Sequence, residues 1–183
     1  MRRLALLAAV GVFAMMSGVA LAPSAWAHDP PKEQQAVTDA FQAAIPQYDA
    51  APDGAKKTAI ANALKKQVDV LLKDGMKNWV GTPVALEKTP EGDYWVSLDV
   101  GPGILAGTQA SRAKDAATKT LIPQDSPMAL ELKSLKPGQQ LQFDGQFLGY
   151  NNSAEAGRVA APNLLTRFTR MTALALPPPR TGR

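Results

Sequence analysis

The spacing of hydrophobic residues along this chain changes from helical to strand-like near residue 76. Before that point, two segments carry apolar side chains at intervals of three and four residues, as amphipathic helices do. The two apolar stripes are Val37, Ala40, Phe41, Ala44 and Ile45, and then Ile60, Leu64, Val68, Leu71 and Leu72. We expect Pro46 to end the first helix, Asp53 to cap the second and Gly75 to stop it. A short connection between them predicts a helical pair.

Five stretches after residue 76 favour β-strands. Apolar and polar residues alternate most clearly over residues 94–100 and 141–147, and less regularly over 80–86, 104–108 and 164–174. Ser126-Pro127 predicts a short helix, since serine is a good N-cap and proline suits the first helical position. Residues 110–120 are interpreted as a loop or an exposed turn of helix, and residues 151–162 as a loop. The predicted order is three strands, a helix and two strands.

The first 27 residues have the order of a bacterial secretory signal. Arg2 and Arg3 precede an apolar run that ends at Leu21, and Ala25-Trp26-Ala27 fits a small-x-small cleavage site. Cleavage after Ala27 predicts a periplasmic or secreted protein without a stable membrane anchor. The run of about 18 apolar residues is also long enough for a retained anchor, and that alternative stays open.

Two short sequence motifs agree with this order of elements. Trp79-Val80-Gly81 is similar to the W-x-G opening of bacterial tRNA-anticodon-binding-like OB-fold domains, and residues 132–145 resemble their L-x-x-L-x-x-G-x-x-V-x-F-x-G passage. The resemblance covers residues 76–174 and implies a secreted domain of unassigned function, with no catalytic residue. The fold class predicted for the chain is α+β, a five-stranded OB-like β-barrel preceded by a two-helix segment. Another small barrel or a sandwich is the alternative.

These features predict four regions along the chain. They are a signal peptide at 1–27, a helical pair at 28–75, an OB-like barrel at 76–174 and a disordered, proline-containing tail at 175–183.

The composition excludes several kinds of chemistry. The chain has no cysteine, so it forms no disulfide, thiolate metal site or cysteine nucleophile. Its one histidine, His28, follows the expected cleavage site, which argues against a two-histidine metal site and a Ser-His-Asp triad. The net charge of +4 falls to +2 once Arg2 and Arg3 are removed, too little for a nucleic-acid footprint. We therefore expect no metal and no cofactor.

Three short motifs have simpler explanations than catalysis. The glycines of Gly101-Pro102-Gly103 match part of a dinucleotide fingerprint, but no amphipathic helix follows them, so we interpret them as a turn. Ser111 and Lys114 match S-x-x-K without its partner motifs. The carboxylates near the second strand are interpreted as surface charges; they are Glu87, Glu91, Asp93 and Asp99.

The predicted binding surface is the second and third strands of the barrel with their loops. Trp95 lies on the polar face of the second strand, beside Ser97 and Asp99, and could stack on a base, a sugar or a partner side chain. The residues predicted to border it are Trp79, Lys88, Arg112 and Lys114. The alternative is that Trp95 packs under the helical pair.

The leading hypothesis is a non-catalytic binding module whose partner is a protein or an envelope component. Single-stranded nucleic acid or oligosaccharide is an alternative ligand, and nucleic acid is not favoured by the charge. A carboxylate-based hydrolase is the least favoured alternative.

Overall fold

The computed structural model describes residues 28–176. The predicted signal peptide and residues 177–183 of the predicted tail lie outside the described residues. The helices are α1 Lys32–Ala50, α2 Gly54–Leu71, α3 Arg112–Asp115, α4 Pro127–Ser134 and α5 Glu155–Ala160. The strands are β1 Met76–Lys88, β2 Tyr94–Gly101, β3 Ile104–Gly107, β4 Leu141–Tyr150 and β5 Asn163–Ala173. Between residues 28 and 176, no helix is both long and apolar enough to span a membrane.

The five strands close into one barrel in the order β1-β2-β3-β5-β4, with β4 returning to β1. All neighbours are antiparallel except β3 and β5, which run parallel. The register of β4 against β5 shifts at Gly145, where a Cβ would lie only 2.7 Å from the side chain of Thr166. The glycine therefore permits a close approach at a strongly bent part of the barrel. The predicted fold class, an OB-like barrel preceded by two helices, is confirmed.

The barrel interior contains the inward-facing side chains of the strands. Phe143 packs edge-on against Phe168 with ring centroids 5.1 Å apart, and the buried ring of Trp79 lies beside Phe143. Alternate residues of β2 complete this core, namely Tyr94, Val96, Leu98 and Val100. Because side chains alternate along a strand, Trp95, Ser97 and Asp99 lie on the outward face of β2.

A buried side chain of α1, Gln34, forms hydrogen bonds that join the helical pair to the barrel. Its Nε2 donates to the carbonyl oxygens of Val80 in β1 (2.7 Å) and Val100 in β2 (2.8 Å). Its Oε1 accepts from the backbone N–H of Val80 at 2.8 Å. These backbone groups lie just beyond the last β1–β2 pair, Thr82 with Asp99. Gln34 therefore takes the place of a strand partner where β1 and β2 separate.

Two predictions about the helices are wrong. Pro46 does not end α1, which continues to Ala50 and buries Tyr48. The proline removes one backbone hydrogen bond, to the carbonyl of the exposed Gln42, while Tyr48 extends the buried stripe by one turn. The predicted loop at 151–162 contains α5, which has Val159 as its buried residue. The predicted caps by Asp53 and Ser126 are confirmed, since they accept from Lys56 N and Ala129 N.

Replacing Gln34 by methionine is expected to lower the free energy of unfolding by about 3 kcal/mol, because three buried backbone groups lose their partner. Gln35→Met is the matched control, since Gln35 is exposed and bonds only to Asp39 within α1. Denaturant unfolding of the purified variants measures both effects. Equal losses in the two variants would contradict the role given to Gln34.

Candidate functional site

A groove of about 180 Å³ lies beside the outward face of β2 and β3. We call it the Trp95 groove. Its walls come from three parts of the chain: Trp95 and Ser97 in β2; Thr108, Gln109 and Lys114 after β3; and Asn151 and Asn163 at the two ends of the β4–β5 connection. The β2–β3 face and the connection between the fourth and fifth strands are the places where OB-type barrels bind ligands.

Backbone pairing fixes the floor of the groove. Ser97 is paired with Gly107 of β3, where an added Cβ would lie 2.8 Å from the carbonyl oxygen of Val96. One residue further, Thr108 N donates to Val96 O and Val96 N donates to Thr108 Oγ1, both at 3.0 Å. The contact of Thr108 with β2 therefore extends past the end of β3 and holds the wall of the groove.

Asn151 forms the opposite wall in a fixed orientation. Its Nδ2 donates to Thr108 O (3.3 Å) and to Asn163 Oδ1 (3.2 Å). Its backbone N–H donates to Asn163 O at 2.8 Å. Because both amide hydrogens have acceptors, Oδ1 is the remaining polar atom of the side chain.

Two buried atoms of the groove lack a hydrogen-bond partner. Among residues 28–176, five buried side-chain polar atoms are unpaired, and two of them, Ser97 Oγ and Asn151 Oδ1, belong to groove residues. The Ser97 side chain is only 7% exposed. Since nearly all buried polar groups in folded proteins are paired, each unpaired atom costs stability. Both atoms have almost no accessible surface, so they are buried behind the lining of the groove.

The structure brings two of the five predicted site residues together. Trp95 is half-buried and lines the groove, and Lys114 borders it. Lys88 lies elsewhere, with its Nζ 5.3 Å from the centre of the Tyr94 ring. Arg112 is held by Asp93, with Nε and Oδ2 at 2.8 Å. The prediction for Trp79 is wrong, because its inward position in β1 buries the side chain completely in the barrel core.

A second cavity lies on the other side of α3, and we call it the Arg167 cavity. Arg112 and Arg167 line it together with the apolar side chains of Met128 and Phe168. The Nε and Nη2 of Arg167 both donate to the carbonyl oxygen of Thr118. Both guanidinium groups therefore serve structural contacts.

Asp115 organises the loop that carries one wall of the Trp95 groove. Its Oδ1 accepts from Thr118 Oγ1 (2.9 Å), Thr120 N (2.5 Å) and Thr120 Oγ1 (2.6 Å), and its Oδ2 accepts from Leu121 N (3.2 Å). Thr120 Oγ1 in turn accepts from Gln109 N at 2.9 Å, which links Asp115 to the groove. Burial opposes ionisation, but these hydrogen bonds hold the pKa of Asp115 below its ordinary value.

The motifs considered for catalysis have structural roles. Ser111 Oγ accepts from Lys114 N and caps α3, and Gly101-Pro102-Gly103 forms the β2–β3 turn, as predicted. Asp93 is paired with Arg112, and Asp99 Oδ1 accepts from Gly101 N at 3.1 Å. In the described part of the chain, no cluster of three His, Asp or Glu side chains is suited to a metal ion, and no carboxylate lines the Trp95 groove.

No family model, curated protein or solved structure matches the chain. The functional assignment therefore rests on the geometry of the groove. Sequence reasoning missed Ser97 and Asn151 as site residues. Their signal is a lack of partners, which becomes visible only once the fold has placed residues 97, 108, 151 and 163 together.

Ser97→Ala is expected to raise the free energy of unfolding by about 1 kcal/mol, because it removes an unpaired buried hydroxyl. Ser126→Ala should lower it by about 1 kcal/mol, because that hydroxyl caps α4. Thermal or denaturant unfolding compares the two serines. A loss of stability in Ser97→Ala would show that its hydroxyl is satisfied within the protein.

Asp115→Asn is expected to destabilise the protein by about 2 kcal/mol at neutral pH, through the loss of charge-assisted hydrogen bonds. The carboxylate has a lowered pKa in the folded state, so its contribution is complete above the ordinary value of 3.8 and is lost as the pH falls through the folded value. The stability difference between wild type and variant, measured by urea unfolding, should therefore shrink below pH 3.8. A difference that does not change with pH would contradict this.

Proposed function

We propose that this protein is an exported, non-catalytic binding module of the bacterial cell envelope. It binds an envelope component or a protein in the Trp95 groove. The observation that carries the proposal is the half-buried indole of Trp95 beside two unpaired buried atoms, Ser97 Oγ and Asn151 Oδ1.

The position of the groove supports a binding role. It lies on the face where OB-type barrels hold oligonucleotides and oligosaccharides, and the resemblance to tRNA-anticodon-binding-like OB-fold domains fits that role. Fold alone does not assign a ligand, so the argument rests on the side chains in the groove.

The chemistry of the groove supports binding over catalysis. It offers hydroxyl, amide and indole groups with one ammonium, from Lys114. Of the carboxylates considered for hydrolysis, Asp93 is paired with Arg112, Asp99 accepts from Gly101 N, and none of the four lines the groove. General acid–base catalysis needs titratable groups that face one substrate. A carboxylate-based hydrolase is therefore the least supported alternative.

Single-stranded nucleic acid is a less supported ligand than an envelope component or a protein. Of the cations predicted to border Trp95, Lys88 lies over Tyr94 and Arg112 is paired with Asp93, so Lys114 alone borders the groove. Binding to a nucleic-acid backbone needs several cations along its path. Any affinity for an oligonucleotide should then depend only weakly on salt.

Export is supported by the order of residues 1–27, where a basic start, an apolar run and Ala25-Trp26-Ala27 follow one another. The ligand is therefore sought in the envelope. Retention of the segment as an anchor would leave the same groove facing the same compartment.

Trp95→Ala is expected to reduce recovery of the ligand from solubilised envelope fractions about tenfold, the effect of losing one stacked aromatic ring. Trp95→Phe should retain part of the binding, because it keeps a flat ring. Leu130→Ala is the surface control, since Leu130 on α4 is 63% exposed and does not line the groove. Quantitative mass spectrometry of the captured material compares the four proteins.

Equal recovery of the ligand by wild type and Trp95→Ala would contradict the assignment of the Trp95 groove as the binding site. Capture of oligonucleotides with a steep loss of affinity at rising salt would favour the nucleic-acid alternative.

A further inference from the structure

The Arg167 cavity lies where the short strand β3 ends. β3 pairs with β5 only as far as Leu165, whereas β5 continues to Ala173. On the other side of the gap, Tyr94 of β2 pairs with Ile122, which follows α3, through two backbone hydrogen bonds of 2.8 and 3.0 Å. Past Leu165, β5 therefore has no strand partner on this side among the described strands, and the cavity is lined both by β5 and by the segment around Ile122.

The size and the apolar walls of this cavity suit a small molecule. Its volume is about 630 Å³, within the roughly 300–1,000 Å³ of typical small-molecule sites. Ile122 and Phe168 belong to the barrel core, and the half-buried side chains of Leu121 and Met128 line the cavity with them. A ligand with an apolar body can therefore remove apolar surface from water here.

The charged side chains of the lining leave an excess of positive charge. Three cations, Arg112, Lys119 and Arg167, line the cavity with two carboxylates, Asp93 and Asp115, which gives a net charge of +1. Asp93 is paired with Arg112, and Asp115 accepts four hydrogen bonds from its own loop. Because both carboxylates are engaged and the net charge is positive, the complementary ligand is an anion.

The cations keep donors beyond their structural contacts. Within residues 28–176, the Arg112 side chain bonds through Nε to Asp93, which leaves its two Nη groups for another acceptor. Arg167 is held by Thr118 O, and Lys119 is exposed; neither has a carboxylate partner among the described residues. Guanidinium and ammonium groups form strong, charge-assisted hydrogen bonds with carboxylates.

We infer that the Arg167 cavity binds a small carboxylate with an apolar body, such as a medium-chain fatty acid. The single negative charge of the carboxylate balances the net charge of the lining, and the apolar body packs against Leu121 and Met128. This is a second binding site, beyond the proposed function, because the linings of the cavity and of the Trp95 groove share no residue.

The test is isothermal titration of the whole protein with octanoate below its micelle concentration. Acetate lacks the apolar body, octylammonium reverses the charge, and octyl phosphate replaces the carboxylate by a head of higher charge. Octanoate is expected to bind, and acetate and octylammonium should bind at least about tenfold more weakly, because one lacks apolar burial and the other lacks the complementary charge.

Met128→Glu is the most direct variant, with Leu130→Glu as its matched control. Met128 lies in the first turn of α4, where the helix N-terminus tolerates a carboxylate, so the variant should fold. Leu130 is on the same helix, 63% exposed and outside the lining. Met128→Glu should reduce the affinity for octanoate about tenfold, through like-charge repulsion and lost apolar surface. Leu130→Glu should leave it unchanged.

A second pair of variants tests the charge. Lys119→Gln removes one cation of the lining, and Lys136→Gln removes the same charge from an exposed position outside it. Lys119→Gln should weaken octanoate binding about threefold, as expected for one solvent-screened charge, and Lys136→Gln should not change it. This pair decides the question if Met128→Glu does not fold. Trp95→Ala should leave octanoate binding unchanged.

Four outcomes would overturn the inference. Octanoate that does not bind at millimolar concentration contradicts the site. Octylammonium binding as tightly as octanoate, or octyl phosphate binding more tightly, shows that the ligand class is wrong. Equal affinities in Met128→Glu and Leu130→Glu, or in Lys119→Gln and Lys136→Gln, place the carboxylate elsewhere. Loss of octanoate binding in Trp95→Ala assigns it to the Trp95 groove and leaves the proposed function standing.

Discussion

The buried amide of Gln34 fixes how the helices dock on the barrel, within an apolar core that the two share. It meets three backbone groups of Val80 and Val100 where β1 and β2 separate, so the barrel is completed at that point by α1. A buried amide without partners would be costly, whereas a fully paired one specifies a single docking geometry. The helix α1 docks at Val80 and Val100, whereas the groove lies around Trp95 and Ser97 of β2.

The contrast between Gln34 and the groove carries the functional argument. Both polar atoms of the Gln34 amide are used, and the side chain is only 1% exposed. On the lining of the Trp95 groove, the atoms Ser97 Oγ and Asn151 Oδ1 are buried and unpaired, although Asn151 as a whole is only half-buried. Folded proteins tend to break such local rules at functional sites, and two of the five unpaired atoms among residues 28–176 belong to residues of this groove. The loop fastened by Asp115 supplies the wall that holds this arrangement in place.

The sequence predicts those features that depend on neighbouring residues. The caps at Asp53 and Ser126, the alternation of β2 and the outward position of Trp95 follow from local spacing. Pro46 was misjudged because the burial of Tyr48 outweighs one lost hydrogen bond, and Trp79 because its side of β1 is set by the barrel. The role of Asn151 could not be predicted from the sequence, because its orientation depends on Thr108 and Asn163. Thr108 is far from it along the chain, and α5 lies between Asn151 and Asn163.

Mapping the bound ligand by two-dimensional NMR tests the central claim, that the Trp95 groove is the binding site, most directly. On titration with the ligand captured from solubilised envelope fractions, the indole N–H of Trp95, the amide of Ser97 and the side-chain amide of Asn151 should shift together. Amide signals around the Arg167 cavity, such as those of Leu121 and Met128, should stay in place. Shifts concentrated at the Arg167 cavity or on the helical pair, with the Trp95 indole unchanged, would contradict the account.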